Sequence, residues 1–214
     1  VLFREGKMGI PYSSNDTSYR GPGSVDYIDV NKDGIITEED RTIIGDPNPD
    51  FTYGFNTSVR YKRFVLSAAF VGSFGNDIYN INKMIDTNIS SVNTNSYSSV
   101  LTQAWSPKNT DTWYPIIGGL NSNDLIWVSD RYIEDGSYLR ISNISLTYNQ
   151  PFRNKKSVIK RISVTATVGN PWIWTKYSGW DPDVNSYGTI KKLGADMGSY
   201  PSARTFKVDL KFNF

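Results

Sequence analysis

The chain has 214 residues with 23 basic and 21 acidic side chains, and it contains neither cysteine nor histidine. This balanced charge gives no sign of a nucleic-acid-binding surface. The two missing residue types exclude disulfides, thiolate metal sites, the common zinc sites and Ser-His catalysis. Aromatic residues make up 14% of the chain, which is typical of β-strands, sugar-binding surfaces and membrane interfaces. No stretch approaches the roughly 18 apolar residues of a membrane-spanning helix.

A calcium-loop pattern occupies residues 29–40, with the sequence DVNKDGIITEED. It has oxygen-bearing side chains, glycine, an apolar residue and a final carboxylate at the spacing of EF-hand-like or dockerin-like loops. Thr37 and Asp40 also form a capping-box pattern, which predicts a short helix at 38–40. We predict a structural Ca²⁺ site here, with Mg²⁺ as a second possible ion and a plain Asn/Asp/Gly turn as the alternative. The predicted ligands are Asp29, Asn31, Asp33, the carbonyl of Ile35, and Asp40, which stands where glutamate is usual.

Five later segments alternate apolar and polar side chains, as β-strands with two different faces do. The last is the clearest, because every second residue from Phe206 to Phe214 is apolar. The alternation slips near Asn143, which either a β-bulge or a partly buried start of the strand would explain. A short helix is predicted at 78–89. The predicted strands span residues 51–61, 64–74, 138–149, 160–170 and 204–214.

The connections between these strands alternate in length. Residues 62–63 and 150–159 form short links, whereas residues 75–137 and 171–203 form long, aromatic-rich ones. Outer-membrane barrels have short periplasmic turns and long extracellular loops. If the C-terminus is periplasmic, every link agrees with one orientation.

We therefore predict an all-β fold, an antiparallel transmembrane β-barrel segment with long extracellular loops. Residues 1–50 would form an extracellular segment that contains the calcium loop, and residues 51–214 would form the strands and loops. Five strands cannot close a wide barrel, so the segment would supply about the last five or six strands of a large one, and the remaining strands are expected upstream of Val1.

Two other functions are compatible with parts of the pattern. A soluble β-sandwich alternates in the same way because its apolar faces pack on each other, so a secreted, calcium-stabilised carbohydrate-binding domain is the main alternative. A glycoside hydrolase needs two carboxylates that flank a cleft. Asp135, Asp181 and Asp183 are the available acids, although their spacing does not favour that role. Strand lengths near ten residues, and aromatic residues near the strand ends, favour the barrel.

A series of motifs follows in order along the chain. These are DVNKDG at 29–34 with RTIIGDPNPDFTYGFN at 41–56, GSFGNDIYN at 72–80, WSP at 105–107, IEDGSYLRISN at 133–143, GWDPD at 179–183 and SYPSARTF at 199–206. From about Gly21 onward, the chain thereby resembles the C-terminal part of SusC/RagA-like TonB-dependent outer-membrane transporters.

The resemblance implies a barrel with an N-terminal plug, energised by TonB and capped outside by a SusD-like lipoprotein. It implies import of oligosaccharides or peptides across the outer membrane of Bacteroidetes-type Gram-negative bacteria, with lipid around the barrel, no catalytic residues and no nucleic-acid partner. The plug, the TonB box and the signal peptide would lie upstream of Val1. Candidates for contact with substrate or lid, with loop packing or a membrane-interface position as the alternative for each, are Trp105, Trp113 and Trp180, followed by Trp127, Trp172, Trp174 and Tyr200.

Overall fold

The computed structural model describes residues 22–25, 27–87, 95–117, 128–152, 158–184 and 193–214. The chain divides into two compact units. The first comprises Val1–Gly45 and Tyr79–Ile133, and the second comprises Asp46–Ile78 and Glu134–Phe214. Among the described residues, no helix combines the length and apolar character needed to cross a membrane.

The second unit is built on one antiparallel sheet of five strands, in the order β1-β2-β5-β6-β8. Three short strands form a separate sheet in the order β4-β3-β7. The strands are β1 (Phe51–Tyr61), β2 (Phe64–Phe74), β3 (Asp77–Asn80), β4 (Ile133–Asp135), β5 (Tyr138–Pro151), β6 (Arg161–Thr175), β7 (Ala195–Asp196) and β8 (Thr205–Asn213). The predicted fold class, an all-β antiparallel sheet, is confirmed, and β1 and β8 form the two edges of the large sheet.

The strand β6 continues five residues past the end that the sequence predicted. Pro171 follows directly after that predicted end, and proline has no N–H to donate to a sheet. The preceding residue, Asn170, has a φ of 50°, and the register between β5 and β6 shifts at this point. The irregularity therefore accommodates the proline, and pairing resumes with Ile141 opposite Trp172.

The same irregularity is a β-bulge in β5, the first of the two explanations for the slip near Asn143. Ala69 pairs with Asn143 and Phe70 pairs with Ile141, so Ser142 has no partner in the register between β2 and β5. One extra residue in a strand moves the side chains beyond it to the face opposite to the one that strict alternation predicts. The bulge thus returns Leu139 and Ile141 to the face that also carries Ile144.

The register sorts the large sheet into one apolar face and one polar face. One row across the apolar face consists of Val59, Leu66, Leu146, Ala166 and Val208. The neighbouring row on the polar face consists of Ser58, Ser67, Ser145, Thr167 and Lys207.

The apolar face is open over its whole width. Phe206 is 75% exposed and Val208 is 73% exposed, and the aromatic side chains of β1 are exposed as well. No second sheet packs on this face within the described part of the chain. A soluble sandwich would bury these side chains against another sheet, so the sandwich alternative is wrong.

The buried core of the second unit lies in its long connections. Ile78, Tyr177 and Val184 form one buried cluster. The hydroxyl of Tyr177 donates to Asp196 at 2.6 Å, and Asp196 accepts two further hydrogen bonds from the backbone N–H groups of Gly198 and Ser199. Because every one of these partners is internal, the connections are packed structures.

The first unit contains short helices. Those within its described residues are α1 (Ile81–Asp86), α2 (Ser98–Gln103) and the 3₁₀ helices Glu38–Asp40 and Asp130–Tyr132. The side chain of Asn80 caps α1 by accepting a hydrogen bond from the N–H of Lys83. The helix predicted at 78–89 is therefore shorter, because residues 77–80 belong to β3.

Candidate functional site

The predicted calcium loop folds back on its own backbone. The carboxylate of Asp29 accepts hydrogen bonds from the N–H groups of Lys32 at 2.6 Å and Gly34 at 2.9 Å. Asp33 accepts one from Ile35 at 2.9 Å. Gly34 has a φ of 86°, a left-handed conformation that glycine adopts without strain. These contacts set the sharp turn that the calcium-loop pattern requires.

Asp40 closes the other end of the loop, in the capping box that the sequence predicted. Its carboxylate accepts hydrogen bonds from the backbone N–H groups of Thr37 at 2.7 Å and Val30 at 2.8 Å. The Thr37 bond is the main cause that lowers the pKa of Asp40; desolvation opposes this, and the N–H groups of Val30 and Asn31 add to it. Asp40 is therefore ionised at neutral pH and joins the two ends of the loop.

The donor chemistry of the loop suits a hard cation, although the side chains do not form a closed cluster. The amide Nδ2 of Asn31 donates to Asp33 at 3.0 Å and to Glu39 at 3.4 Å, so a positively polarised group lies between two carboxylates. Within the described residues, no three acidic side chains are placed together as a metal cluster. A bound ion would need the oxygen of Asn31 in place of its amide nitrogen.

Two of the predicted contact residues are packed inside the first unit. Trp105 is only 7% exposed, and its ring lies so close to Gly23 that a Cβ there would be 2.6 Å away. Trp113 has the guanidinium of Arg131 at 3.6 Å and the ammonium of Lys83 at 4.9 Å from its ring centroid. Such cation–π contacts occupy the ring. The loop-packing alternative therefore applies to both tryptophans.

Trp180 differs, because its side chain is 78% exposed and belongs to the second unit. It lines a cavity of about 410 Å³ together with Trp172, Asp181 and Arg204. Tyr200 is exposed too, whereas Trp172 and Trp174 share the apolar sheet face with their register partners Ile141 and Leu139. Trp127 lies outside the described residues.

A buried ion pair ties β5 to the long connection after β6. The guanidinium of Arg140 donates to the carboxylate of Asp181 and, at 2.7 Å, to the hydroxyl of Ser202. Asp181 also accepts the backbone N–H groups of Ser202 and Asp183, each at 3.0 Å. Both charged side chains are about 9% exposed. The sequence analysis did not predict this ion pair. The feature that could have indicated it is Arg140, a charged residue among apolar ones at the start of a predicted strand.

The acids that a glycoside hydrolase would need are used in turns and anchors. The backbone N–H of Asp183 donates to the carboxylate of Asp181 and closes an Asp-Pro-Asp turn, and the same carboxylate also accepts hydrogen bonds from Arg140 and Ser202. Asp135 accepts the N–H of Ser137 at 2.9 Å and lies 3.7 Å from the exposed ammonium of Lys176. Ser137, through its hydroxyl first and its backbone second, lowers the pKa of Asp135. No pair of these acids is left facing a cleft.

Comparison with known proteins gives a consistent answer, although no family model matches the chain. It is 36% identical over 200 residues to TonB-dependent receptor P3 of Formosa agariphila, an alignment covering 90% of this chain and 19% of that protein. It is 31% identical over 195 residues to TonB-dependent receptor SusC of Bacteroides thetaiotaomicron, with 88% and 17% coverage. The chain is therefore similar in sequence to part of the TonB-dependent receptors, SusC among them.

The solved structures agree with this assignment at the level of fold. The SusC/RagA-like chain superposes on the RagAB peptide importer in its closed-closed state with a TM-score of 0.71 and 23% identity, over 85% of this chain and 19% of that one. The structure of the RagAB peptide transporter gives 0.67 and 24%, over 78% and 17%. The chain spans about a fifth of the length of the relatives it matches.

The predicted resemblance to SusC/RagA-like proteins is thereby confirmed. The relatives are TonB-dependent receptors, in agreement with the prediction that the chain is not part of an enzyme.

Proposed function

We propose that this SusC/RagA-like chain forms part of an outer-membrane transporter, with one sheet face against lipid and the other against a water-filled lumen. The observation that carries this proposal is the open apolar face, on which Phe206 and Val208 remain largely exposed while the opposite face is polar. Strands of the required length with this alternation are the form in which β-structure crosses a membrane. The same exposure in water would be a liability.

The proposal includes the partners and cargo that the family implies. A SusD-like lipoprotein would cap the receptor outside, TonB would energise it, and oligosaccharides or peptides would be imported. RagAB is a peptide transporter, and the relatives of this chain include SusC. Of the predicted contact residues, Trp180 and Tyr200 offer exposed aromatic rings, which stack on sugars or pack on other proteins. We propose these two for contact with cargo or lid.

The orientation is tested by labelling single cysteines in the receptor that carries this chain. The chain itself has no cysteine, so each reporter is unique within it. Lys108 lies in a long connection and Lys160 in a short link, and both are exposed. We expect a membrane-impermeant maleimide to label Lys108→Cys on intact cells and Lys160→Cys only after the outer membrane is permeabilised.

The unsubstituted receptor is the control for cysteines elsewhere in the protein. Labelling of Lys160→Cys on intact cells would reverse the proposed orientation. Recovery of the receptor in the soluble fraction would refute the membrane location altogether.

We also propose that the loop at residues 29–40 binds a structural Ca²⁺ ion, with Mg²⁺ as a weaker substitute. The carboxylates of Asp29 and Asp33, the side-chain oxygen of Asn31, the carbonyl of Ile35, and Asp40 would hold it. Support comes from the turn geometry and from the amide donor that already lies between two carboxylates. The ion would join the two ends of the loop ahead of β1.

Removing either Asp29 or Asp33 is expected to loosen this loop. In the receptor, Ca²⁺ should slow amide hydrogen exchange over residues 29–40 relative to a chelator, and Asp29→Ala or Asp33→Ala should abolish the difference. Glu38→Ala is the matched control, since Glu38 pairs only with Arg41 on the surface, at 3.0 Å. Identical exchange with Ca²⁺ and with chelator in the unsubstituted receptor would reject the site.

A further inference from the structure

The two ends of the large sheet carry opposite charge. We call the end at the two short links the turn end, and it comprises the described residues 59–66, 146–152, 158–164 and 210–214. None of these residues is Asp or Glu. The basic residues of the turn end are Arg60, Lys62, Arg63, Lys160, Arg161 and Lys211.

Acidic residues predominate at the opposite end, in the described residues 46–54, 71–78, 134–141, 170–184 and 193–206. The basic residues there are Arg140, Lys176 and Arg204. The acids are Asp46, Asp50, Asp77, Glu134, Asp135, Asp181, Asp183 and Asp196. Barrel geometry alone does not require this difference in charge between the two ends.

Two of the cations lie on the apolar side of the turn end. The ammonium of Lys62 is 5.2 Å from the ring centroid of Tyr61, whose side chain belongs to the apolar face. The guanidinium of Arg63 donates to Gln150 at 2.6 Å and to the hydroxyl of Tyr148 at 3.4 Å. In the part of the chain that the structure describes, neither cation has a carboxylate partner. Both charges therefore lie at the edge of the apolar face without a carboxylate that neutralises them. We call this edge, with Tyr61, Lys62, Arg63, Phe64 and Tyr148, the rim.

Aromatic rings complete this rim. Phe64 and Tyr148 are cross-strand partners, and their ring centroids are 5.0 Å apart. Tyr61 and Phe64 are exposed. Aromatic girdles of this kind lie at headgroup depth, and long basic side chains reach the same level while their stems stay in the apolar layer. The rim thus places the charges of Lys62 and Arg63 at the height of lipid phosphates.

We propose that this rim binds the phosphate of an anionic phospholipid. This inference rests on the proposed membrane function. The charge of the rim indicates which lipid binds, because two cations without a neighbouring acid attract an anionic lipid. The phosphate would accept hydrogen bonds from Lys62 and Arg63, and the acyl chains would lie on the apolar face. A zwitterionic lipid gains less, because its own ammonium group is repelled by the two cations.

The test measures lipid binding to the purified receptor in detergent by native mass spectrometry. Phosphatidylglycerol and phosphatidylcholine are the two probes. We expect the unsubstituted receptor to prefer phosphatidylglycerol, and the double variant Lys62→Gln/Arg63→Gln to bind it at least fivefold more weakly, which is roughly the effect of one basic residue near an anionic surface. Binding of phosphatidylcholine should not change.

Matched variants separate this site from total charge. Lys108→Gln/Lys176→Gln removes the same two charges from exposed positions outside the turn end and should keep the preference. Arg63→Lys retains the positive charge, so this variant should also retain the preference for phosphatidylglycerol. Equal binding of the two lipids by the unsubstituted receptor, equal loss in the control double variant, or displacement of the lipid by millimolar inorganic phosphate would each overturn the proposal.

Failure of the proposed function has a different signature. A receptor that is absent from the outer-membrane fraction refutes the membrane location itself. A receptor that is recovered there but is indifferent to lipid charge overturns only the lipid site.

Discussion

Replacing Val208 by arginine is expected to deplete the receptor from the outer membrane. Val208 lies in the middle of β8, 73% exposed, in a row with Ala166 and Leu146 on the apolar face. An arginine on the lipid face near the midplane of the bilayer costs about 2–4 kcal/mol. The receptor should therefore decline in the outer-membrane fraction and lose the heat-dependent gel mobility of a folded barrel.

The matched control places the same residue on the polar face. Thr165 pairs with Asp209 across β6 and β8, so Thr165→Arg adds an arginine that faces a carboxylate in the proposed lumen. We expect normal abundance for this variant. If Val208→Arg and Thr165→Arg accumulate to the same level in the membrane, the apolar face does not meet lipid and the transporter proposal fails.

Replacing Asp181 by alanine is expected to release the long connection after β6. The change leaves the guanidinium of Arg140 buried without its carboxylate and removes the acceptor for the N–H of Ser202. Loss of one partner from a buried pair costs about 3–5 kcal/mol. Amide hydrogen exchange should therefore accelerate over residues 195–204.

Asp183→Ala is the control for this experiment, since Asp183 is exposed and contributes only its backbone N–H to the turn. Equal acceleration in both variants would mean that the turn, and not the ion pair, holds the connection.

The same anchor predicts a dependence on pH. Burial raises the pKa of Asp181, but the N–H groups of Ser202 and Asp183 and the charge of Arg140 outweigh it, so the net pKa lies below the ordinary value of 3.8. A pKa lowered by folding stabilises the folded form fully above the unfolded value, and the contribution is lost as pH falls through the lowered value. Exchange over residues 195–204, corrected for its intrinsic pH dependence, should be constant from pH 7 to 5 and accelerate only below about pH 4. A transition near pH 6 would contradict this assignment.

Local patterns predicted most of the sheet. The alternation of apolar and polar residues over 51–61 and 64–74 predicted the bounds of β1 and β2. Such alternation is a local signal, because successive side chains of a strand point to opposite faces of the sheet. The capping box at Thr37 and Asp40 was predicted for a similar reason, since both partners lie within one turn. The end of β6 was missed, because its continuation past Pro171 depends on pairing with β5.

The contacts of the long connections were not predictable from local sequence. Trp105 is buried against Gly23, and Arg140 pairs with Asp181, so each partner lies 41 or more residues away along the chain. Nothing in the neighbourhood of a tryptophan tells whether its ring faces solvent or a distant glycine. For that reason the sequence left loop packing and ligand contact open for Trp105 and Trp113, whereas the structure packs both rings against distant residues.

The unpaired Ser142 has an effect that reaches the far anchor. If Ser142 took part in regular pairing instead of forming a bulge, strict alternation would carry through β5, and the side chain of Arg140 would emerge among the aromatic residues of the hydrophobic side. Asp181 would then lose its guanidinium although neither charged residue had changed. A single bulged position therefore decides whether the long connection after β6 has a partner on the strand, and odd-even counting of residues misassigns the end of β5 beyond the bulge in this chain.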